Sequence, residues 1–221
     1  MFGPAPIRDL AIVLDAPSFE PLEPLLDVLE DQPVTAAVGP SLLASVGPSV
    51  VQHLRHSGLS SLLDLRHFAD PHRMALLAEV AARTGAIGLT VQLAAGEGAL
   101  RAAVQATRGR IPLVGVLTPS WLGDDTDLVT HAQLAKKVGL KGVMGTPEEL
   151  IAVSATVDFP LRWAREPESA RDSDPIAFVR SARQSGATTI FLGLSVLTHP
   201  APGTVIQAAL HAIEQGASHG G

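Results

Sequence analysis

Short apolar runs alternate with longer amphipathic ones along the whole chain, and that alternation predicts the architecture. The short runs, rich in β-branched residues or leucine and ended by Gly, Asp or Pro, predict strands at Leu10–Asp15, Val34–Val38, Ser61–Leu65, Ile87–Leu93, Pro112–Leu117, Gly142–Met144, Val157–Leu161 and Thr189–Gly193. Between them, Ala- and Leu-rich stretches predict helices around Pro21–Glu30, Ser49–His56, Pro71–Thr84, Glu97–Arg108, Asp127–Val138, Pro147–Val153 and Pro175–Ser185, with a last one over Val205–Gln215. Near-continuous apolar strands such as AIVLD and PLVGVL suit a parallel sheet covered on both faces. Thr146-Pro147 puts proline at a first helical position, with Glu148 and Glu149 where the helix dipole favours them. Eight such units and no run long enough for a linker predict one α/β domain over 1–221, a (β/α)8 TIM barrel. An open Rossmann sheet fits less well, because LDAPSF after the first strand lacks the glycine-rich fingerprint.

Composition narrows the function classes. With 46% hydrophobic and 17% charged residues, the 221-residue chain can bury a sizeable core. It has no cysteine, which excludes disulfide scaffolds, zinc–thiolate sites, iron–sulfur clusters and thiol nucleophiles. No segment reaches the roughly 18 uninterrupted apolar residues of a membrane span. The start, MFGPAPIRDL, has neither the charged nor the apolar part of a signal peptide. A formal charge of -6 argues against general nucleic-acid binding. The expectation is a cytoplasmic protein acting on a small molecule, with neither nucleic acid nor membrane as partner.

In such a barrel the chemistry sits where strands end, on the C-terminal face. LLDLRHFADPHR concentrates charge at one such end. Asp64 and Arg66 are two apart, so strand alternation points both to one face. If that face is the interior, a carboxylate and a guanidinium stand side by side in a desolvated mouth. The alternative is a structural ion pair that plugs it. Asp70 follows, with His67 and His72 near it; a regular strand would turn His67 away from the pair. Other strand-end candidates for holding a substrate are Asp15, Gln92, Thr118, Ser120, Arg162 and Ser195. LRWAREPESARDSD is expected to be a loop after the seventh strand, carrying Arg162, Arg165 and Arg171 among interleaved acids. It reads equally well as a substrate lid or as a self-paired surface loop. No His-x-x-x-His spacing occurs, and neither a metal nor a cofactor is expected.

The chain as a whole resembles the orotidine 5'-phosphate decarboxylase superfamily, which includes hexulose-phosphate synthase and ketogulonate-phosphate decarboxylase. AIVLDAP resembles the family's first strand, whose final Asp contacts the ribose, here Asp15. TAAVGPSLL resembles the strand ending Lys-Val-Gly, and LLDLRHFADPHR resembles the signature Asp-x-Lys-x-x-Asp-Ile-Pro-x-Thr. LTVQLAAG, VGVLTPS, GLKGVMGTPEE and TIFLGLSVLTHP are similar to later family segments in order and spacing. The resemblance implies a TIM barrel, lyase chemistry through an anionic intermediate, and a homodimer that pairs the C-terminal barrel faces.

The departures are chemical. Of the Lys, Asp, Lys, Asp tetrad that the resemblance implies, Asp64 survives, the first Lys falls on Ala37 and the second on Arg66. The last Asp falls on Ala69, or on Asp70 if one residue is inserted. Arginine supplies positive charge but is a poor proton donor. Gln92 stands for a family His. Thr118 matches Leu-Thr-Ser, but the Ser that touches the pyrimidine is Pro119, with Ser120 next. Leu194 replaces the Arg that grips the substrate phosphate. Three readings follow: a divergent decarboxylase-like lyase built on Asp64, Arg66 and Asp70; a non-catalytic binding or scaffold homologue; and an authentic orotidine 5'-phosphate decarboxylase, the least favoured.

Overall fold

The structure, a computed structural model, describes residues 6–117, 127–167 and 174–217. Eight parallel strands close into a barrel in chain order: β1 (Leu10–Leu14), β2 (Val34–Val38), β3 (Ser61–His67), β4 (Leu89–Gln92), β5 (Leu113–Val116), β6 (Gly142–Gly145), β7 (Leu161–Arg165) and β8 (Thr189–Leu192). Closure comes from β1, whose Leu10 registers with Val34 of β2 on one side and Ile190 of β8 on the other. The helices are α1 (Glu23–Leu29), α2 (Pro40–Val46), α3 (Ser49–His56), α4 (Pro71–Thr84), α5 (Gly96–Thr107), α6 (Leu128–Val138), α7 (Pro147–Ser154), α8 (Pro175–Gln184), α9 (Leu194–Leu197) and α10 (Pro202–Ala217). The single-domain TIM barrel expected from the sequence pattern is the fold observed. Among the described residues, no helix is long and apolar enough to cross a membrane.

Two shells of apolar side chains hold it together. Ala11, Ala37, Leu62, Val114, Val116, Met144, Trp163 and Phe191 fill the inside of the barrel, with Trp163 and Phe191 5.1 Å apart between ring centroids. A larger cluster, including Ile12, Leu63, Leu89, Val143 and Ile190, packs the outer sheet face against the helices. Thus alternate residues of each strand serve alternate shells, as the pleat requires. Helix starts are fixed by side chains. Thr146 and Glu149 form a reciprocal capping box on α7, while Asp70, Asp127 and Asp174 cap α4, α6 and α8.

Two expectations need correction. The seventh strand runs over Leu161–Arg165 rather than Val157–Leu161. Pro160 has no N–H to give a central ladder, so pairing starts after it, although Val157 and Phe159 are buried. The shift brings Trp163 and Arg165 into the barrel wall instead of a loop. The pattern also passed over α2, a seven-residue helix opened by Pro40 after Gly39.

Where β6 meets β7, the backbones approach too closely for a side chain. A Cβ on Gly142 would lie 2.3 Å from the Leu161 carbonyl oxygen. Gly142→Ala should therefore destabilise the barrel by about 1–3 kcal/mol, read as a lower denaturant midpoint with an unchanged slope. An unchanged midpoint would show that the strands can part at no cost.

Candidate functional site

The end of β3 is irregular, and the irregularity builds the site. Leu63 pairs with Leu89, but the next pairing is His67 with Val91, so four steps along β3 match two along β4. Within the extra length Arg66 adopts a positive φ of 46°, a left-handed conformation unusual for a side-chain-bearing residue. Its backbone N–H donates to Thr90 Oγ1 at 2.9 Å, and the same hydroxyl donates to Asp64 Oδ1 at 2.8 Å. The Arg66 guanidinium folds back on Asp64, with Nη2 to Oδ2 at 3.2 Å and Nε to Oδ1 at 3.5 Å. Asp64 is 2% exposed and Arg66 35%, so the carboxylate lies beneath and the cation faces outward.

A cavity of about 330 Å³ opens above this pair, between the ends of β1, β7 and β8. Arg66, Asp15, Arg165 and Glu166 supply its charged groups, and Val13, Phe191, Leu194 and Leu197 its apolar wall. Arg165, almost fully buried, makes an ion pair with Glu149 at 3.6 Å. Glu149 Oε2 also accepts the Thr146 N–H at 2.7 Å, so the α7 capping box is tied to the end of β7 through Arg165. Glu166 Oε2 accepts the Gly193 N–H at 2.8 Å.

Of the residues proposed from sequence, Asp64, Arg66 and Asp15 come together here. Asp15 Oδ1 accepts the Ser41 N–H at 2.8 Å, and Gly39 leaves it room: a Cβ there would lie 2.4 Å from Asp15. Gln92 ends β4 two residues after Thr90, half-buried, its Oε1 without a hydrogen-bond partner. Ser195 is buried in α9 with its Oγ likewise unpartnered, and does not line the cavity. Asp70 is exposed and caps α4, accepting the His72 and Arg73 N–H groups at 3.0 and 3.1 Å. The Arg73 N–H above all holds its carboxyl below the usual range, aided by the His72 N–H and the Arg73 charge. His67, half-buried at the end of β3, has its imidazole pushed down by burial. Thr118 and Ser120 lie outside the described residues.

Arg162 is not at the mouth. It is the second residue of β7, near the N-terminal end of the barrel, and alternation turns it outward from Trp163. There it binds Asp158 at 2.9 Å and the Gly186 carbonyl at 2.8 Å. It lines a separate groove with Asp9, Arg180 and Arg183, away from the strand ends where the charged cluster lies. Among the described residues, no group of three or more His, Asp or Glu is placed to hold a metal.

Sequence reasoning missed Thr90, Glu149 and the inward turn of Glu166. Thr90 carried one signal: it alternates with Gln92 on the strand beside Asp64. Thr90→Val keeps the shape but removes a donor from a buried carboxylate and an acceptor from the Arg66 N–H. It should cost about 1–3 kcal/mol in chemical denaturation. A variant as stable as the parent would mean that the strained β3 end does not depend on this hydroxyl.

No family model matches the chain. An orotidine 5'-phosphate decarboxylase of Anaeromyxobacter dehalogenans is 29% identical over 223 residues, covering 92% of this chain and 97% of that protein. The protein of the same name from Halorhodospira halophila is 33% identical over 168 residues, 69% of this chain and 71% of its own length. Among solved structures, orotidine 5'-phosphate decarboxylase from Lactobacillus acidophilus superposes with a TM-score of 0.78 at 22% identity, over 93% of this chain and 99% of that one. An uncharacterized conserved protein from Geobacillus kaustophilus gives 0.76 at 23% identity, over 92% and 99%. With a strand-three carboxylate and cation at the mouth of such a barrel, this chain belongs to the orotidine 5'-phosphate decarboxylase superfamily.

Proposed function

We propose that this superfamily member is a carbon–carbon lyase or related proton-transfer enzyme, acting through an anionic intermediate on a small polar, carboxylated or enolisable substrate. The observation that carries the reading is the Asp64–Arg66 pair, a buried carboxylate holding a half-exposed guanidinium against a cavity. Positive charge fixed at the mouth stabilises an anion that develops there, and needs no reorganisation at the moment of reaction. Arg66 is the stabilising group, Asp64 orients it, and Asp15 presents its second oxygen to a substrate hydroxyl.

The names of the relatives favour a second reading, decarboxylation of orotidine 5'-monophosphate itself. Against it stand Ala37, wholly buried in the apolar interior, and Leu194, an apolar cavity wall where a phosphate-binding Arg is implied. Thermal-shift measurements separate the two, since a ligand of the folded state raises its stability by mass action. Small carboxylates should stabilise the protein and orotidine 5'-monophosphate should not. Rescue of a pyrimidine auxotroph by this chain would establish the second reading instead. Once a substrate is in hand, Arg66→Lys should keep part of the activity and Arg66→Ala almost none. Full activity in Arg66→Ala removes the residue from the mechanism.

We also propose a homodimer. Its support is an exposed apolar strip beside the β3 end: Phe68, 64% exposed, with Leu76 and Val80 one turn apart on α4. Met74, on the same helix, is buried. Light scattering at micromolar concentration should give the mass of two chains. A single-chain mass that does not change with concentration would sink the dimer.

A further inference from the structure

A groove of about 810 Å³ lies between α8 and α10, at the end of the barrel away from the mouth. Three guanidinium groups line it, those of Arg162, Arg180 and Arg183, against one carboxylate, Asp9. Arg162 is held in place by the fold. Its backbone N–H donates to Thr188 Oγ1 at 3.0 Å and its Nε to the Gly186 carbonyl at 2.8 Å. Its Nη1 donates to Asp158 Oδ1 at 2.9 Å and to the Phe159 carbonyl at 3.1 Å. Arg183 gives Nη1 to the Ala187 carbonyl at 3.3 Å and meets Asp9 at 3.7 Å, beyond hydrogen-bond reach. The two side chains are 30% and 23% exposed, and the Nη2 of neither is sealed from solvent.

Arg180 is exposed and makes no ion pair among the described residues. Helix geometry accounts for Arg183, which stands in the last turn of α8, where the dipole favours a cation. It does not account for Arg180, one turn earlier. The two share a face of α8, where like charges repel, and α8 contains no acidic residue to relieve them. Asp158 and Glu214 do not line the groove, so its lining cations outnumber its lining anions three to one, and adding Asp158 keeps the excess. Helices α8 and α10 both end here and bring partial negative charge. The last α8 carbonyls are nonetheless occupied: Ser181 accepts from Ser185 N–H, Ala182 from Ala187 N–H and Arg183 from Gly186 N–H.

No aromatic or large apolar side chain lines the groove; Ala187 and Ala212 are its apolar members. A ligand there is held by charge and hydrogen bonds, and planar guanidinium forks match phosphate oxygens. Arg180 and Arg183 have Cβ atoms about 5–6 Å apart, as i, i+3 neighbours do, and Arg162 comes from β7. Forks spread in this way meet two phosphoryl groups better than one. The volume lies within the range of about 300–1,000 Å³ usual for small-molecule sites. We infer that the groove is a binding site for a small diphosphate, separate from the mouth and held by Arg162, Arg180 and Arg183. Such a ligand ties the start of β7 to α8 and stabilises the folded chain by mass action.

Calorimetric titration at fixed ionic strength, with pyrophosphate as the probe and orthophosphate and acetate as comparisons, tests it. The wild-type chain should bind pyrophosphate with a dissociation constant below about 1 mM, and the other two at least about tenfold more weakly. Arg180→Ala, which breaks no ion pair in the fold, should weaken pyrophosphate about tenfold or more and leave the melting temperature unchanged. Arg183→Gln should weaken it similarly. Arg66→Ala should bind pyrophosphate as the wild type does, because that cation lies at the opposite end of the barrel. No binding of pyrophosphate overturns the inference, and so does equally tight binding of orthophosphate or acetate. Unchanged affinity in Arg180→Ala overturns it as well. Loss of binding in Arg66→Ala would move the ligand to the mouth and equally refute the groove. Binding of heparin without pyrophosphate would make the groove a surface for a polymeric anion instead, against the inference.

Discussion

A carboxylate buried at the end of β3 governs the geometry of the whole barrel mouth. Removing an ionised group from water costs several kcal/mol unless partners replace the solvent. Asp64 has two such partners, the Thr90 hydroxyl and the Arg66 guanidinium. Both are side chains rather than backbone groups of the ladder. The strand lengthens locally, Arg66 enters the left-handed region, and its N–H turns to Thr90 rather than to a backbone carbonyl. That conformation costs an L-residue about 1–2 kcal/mol. An unpaired buried charge costs more, so the strained arrangement is the stable one. One hydroxyl serves as both donor and acceptor in it.

The same magnitudes explain what the sequence could and could not disclose. Parallel strands covered on both faces must be apolar runs, which is why seven of the eight could be located from the pattern. The seventh fails because its run contains Pro160, while the true strand LRWAR carries two arginines. Alternation rightly put Asp64 and Arg66 on one side. It had no means of revealing the lengthening of β3, since a register shift is a property of two strands and only one was being read. Thr90 was invisible for another reason: threonine is common in strands for its branched shape alone. The bond from Gly193 to Glu166 spans 27 residues and exists only once the barrel has closed.

Cations at the mouth come from β3 and β7. On β2 the inward position is Ala37, a methyl group inside the apolar cluster. Arg66 and Arg165 each face a carboxylate, Asp64 and Glu149 respectively. Arginine suits this duty because its planar fork is less strongly hydrated than an ammonium and meets a carboxylate over several bonds. It hands over a proton poorly, however. Guanidinium groups at the mouth can therefore hold negative charge in place but are poor proton donors, and His67, the next residue of β3, does not line the cavity. Burial lowers that imidazole, which favours its neutral form.

Beneath the charged layer the barrel is shut. Trp163, wholly buried, stacks at a tilt on Phe191, and Phe191 with Val13 forms the apolar base of the cavity. The cavity is therefore closed below, with an apolar wall on one side and charged groups on the other. Charges interact more strongly beside such a surface than in water, so the Arg66 guanidinium acts more strongly on its surroundings here than it would on an exposed helix. Asp15 and Glu166 each keep one oxygen in backbone hydrogen bonds, to Ser41 and Gly193, which fixes their positions before a ligand arrives. The cavity therefore sets two anchored carboxylates beside two guanidinium groups, those of Arg66 and Arg165.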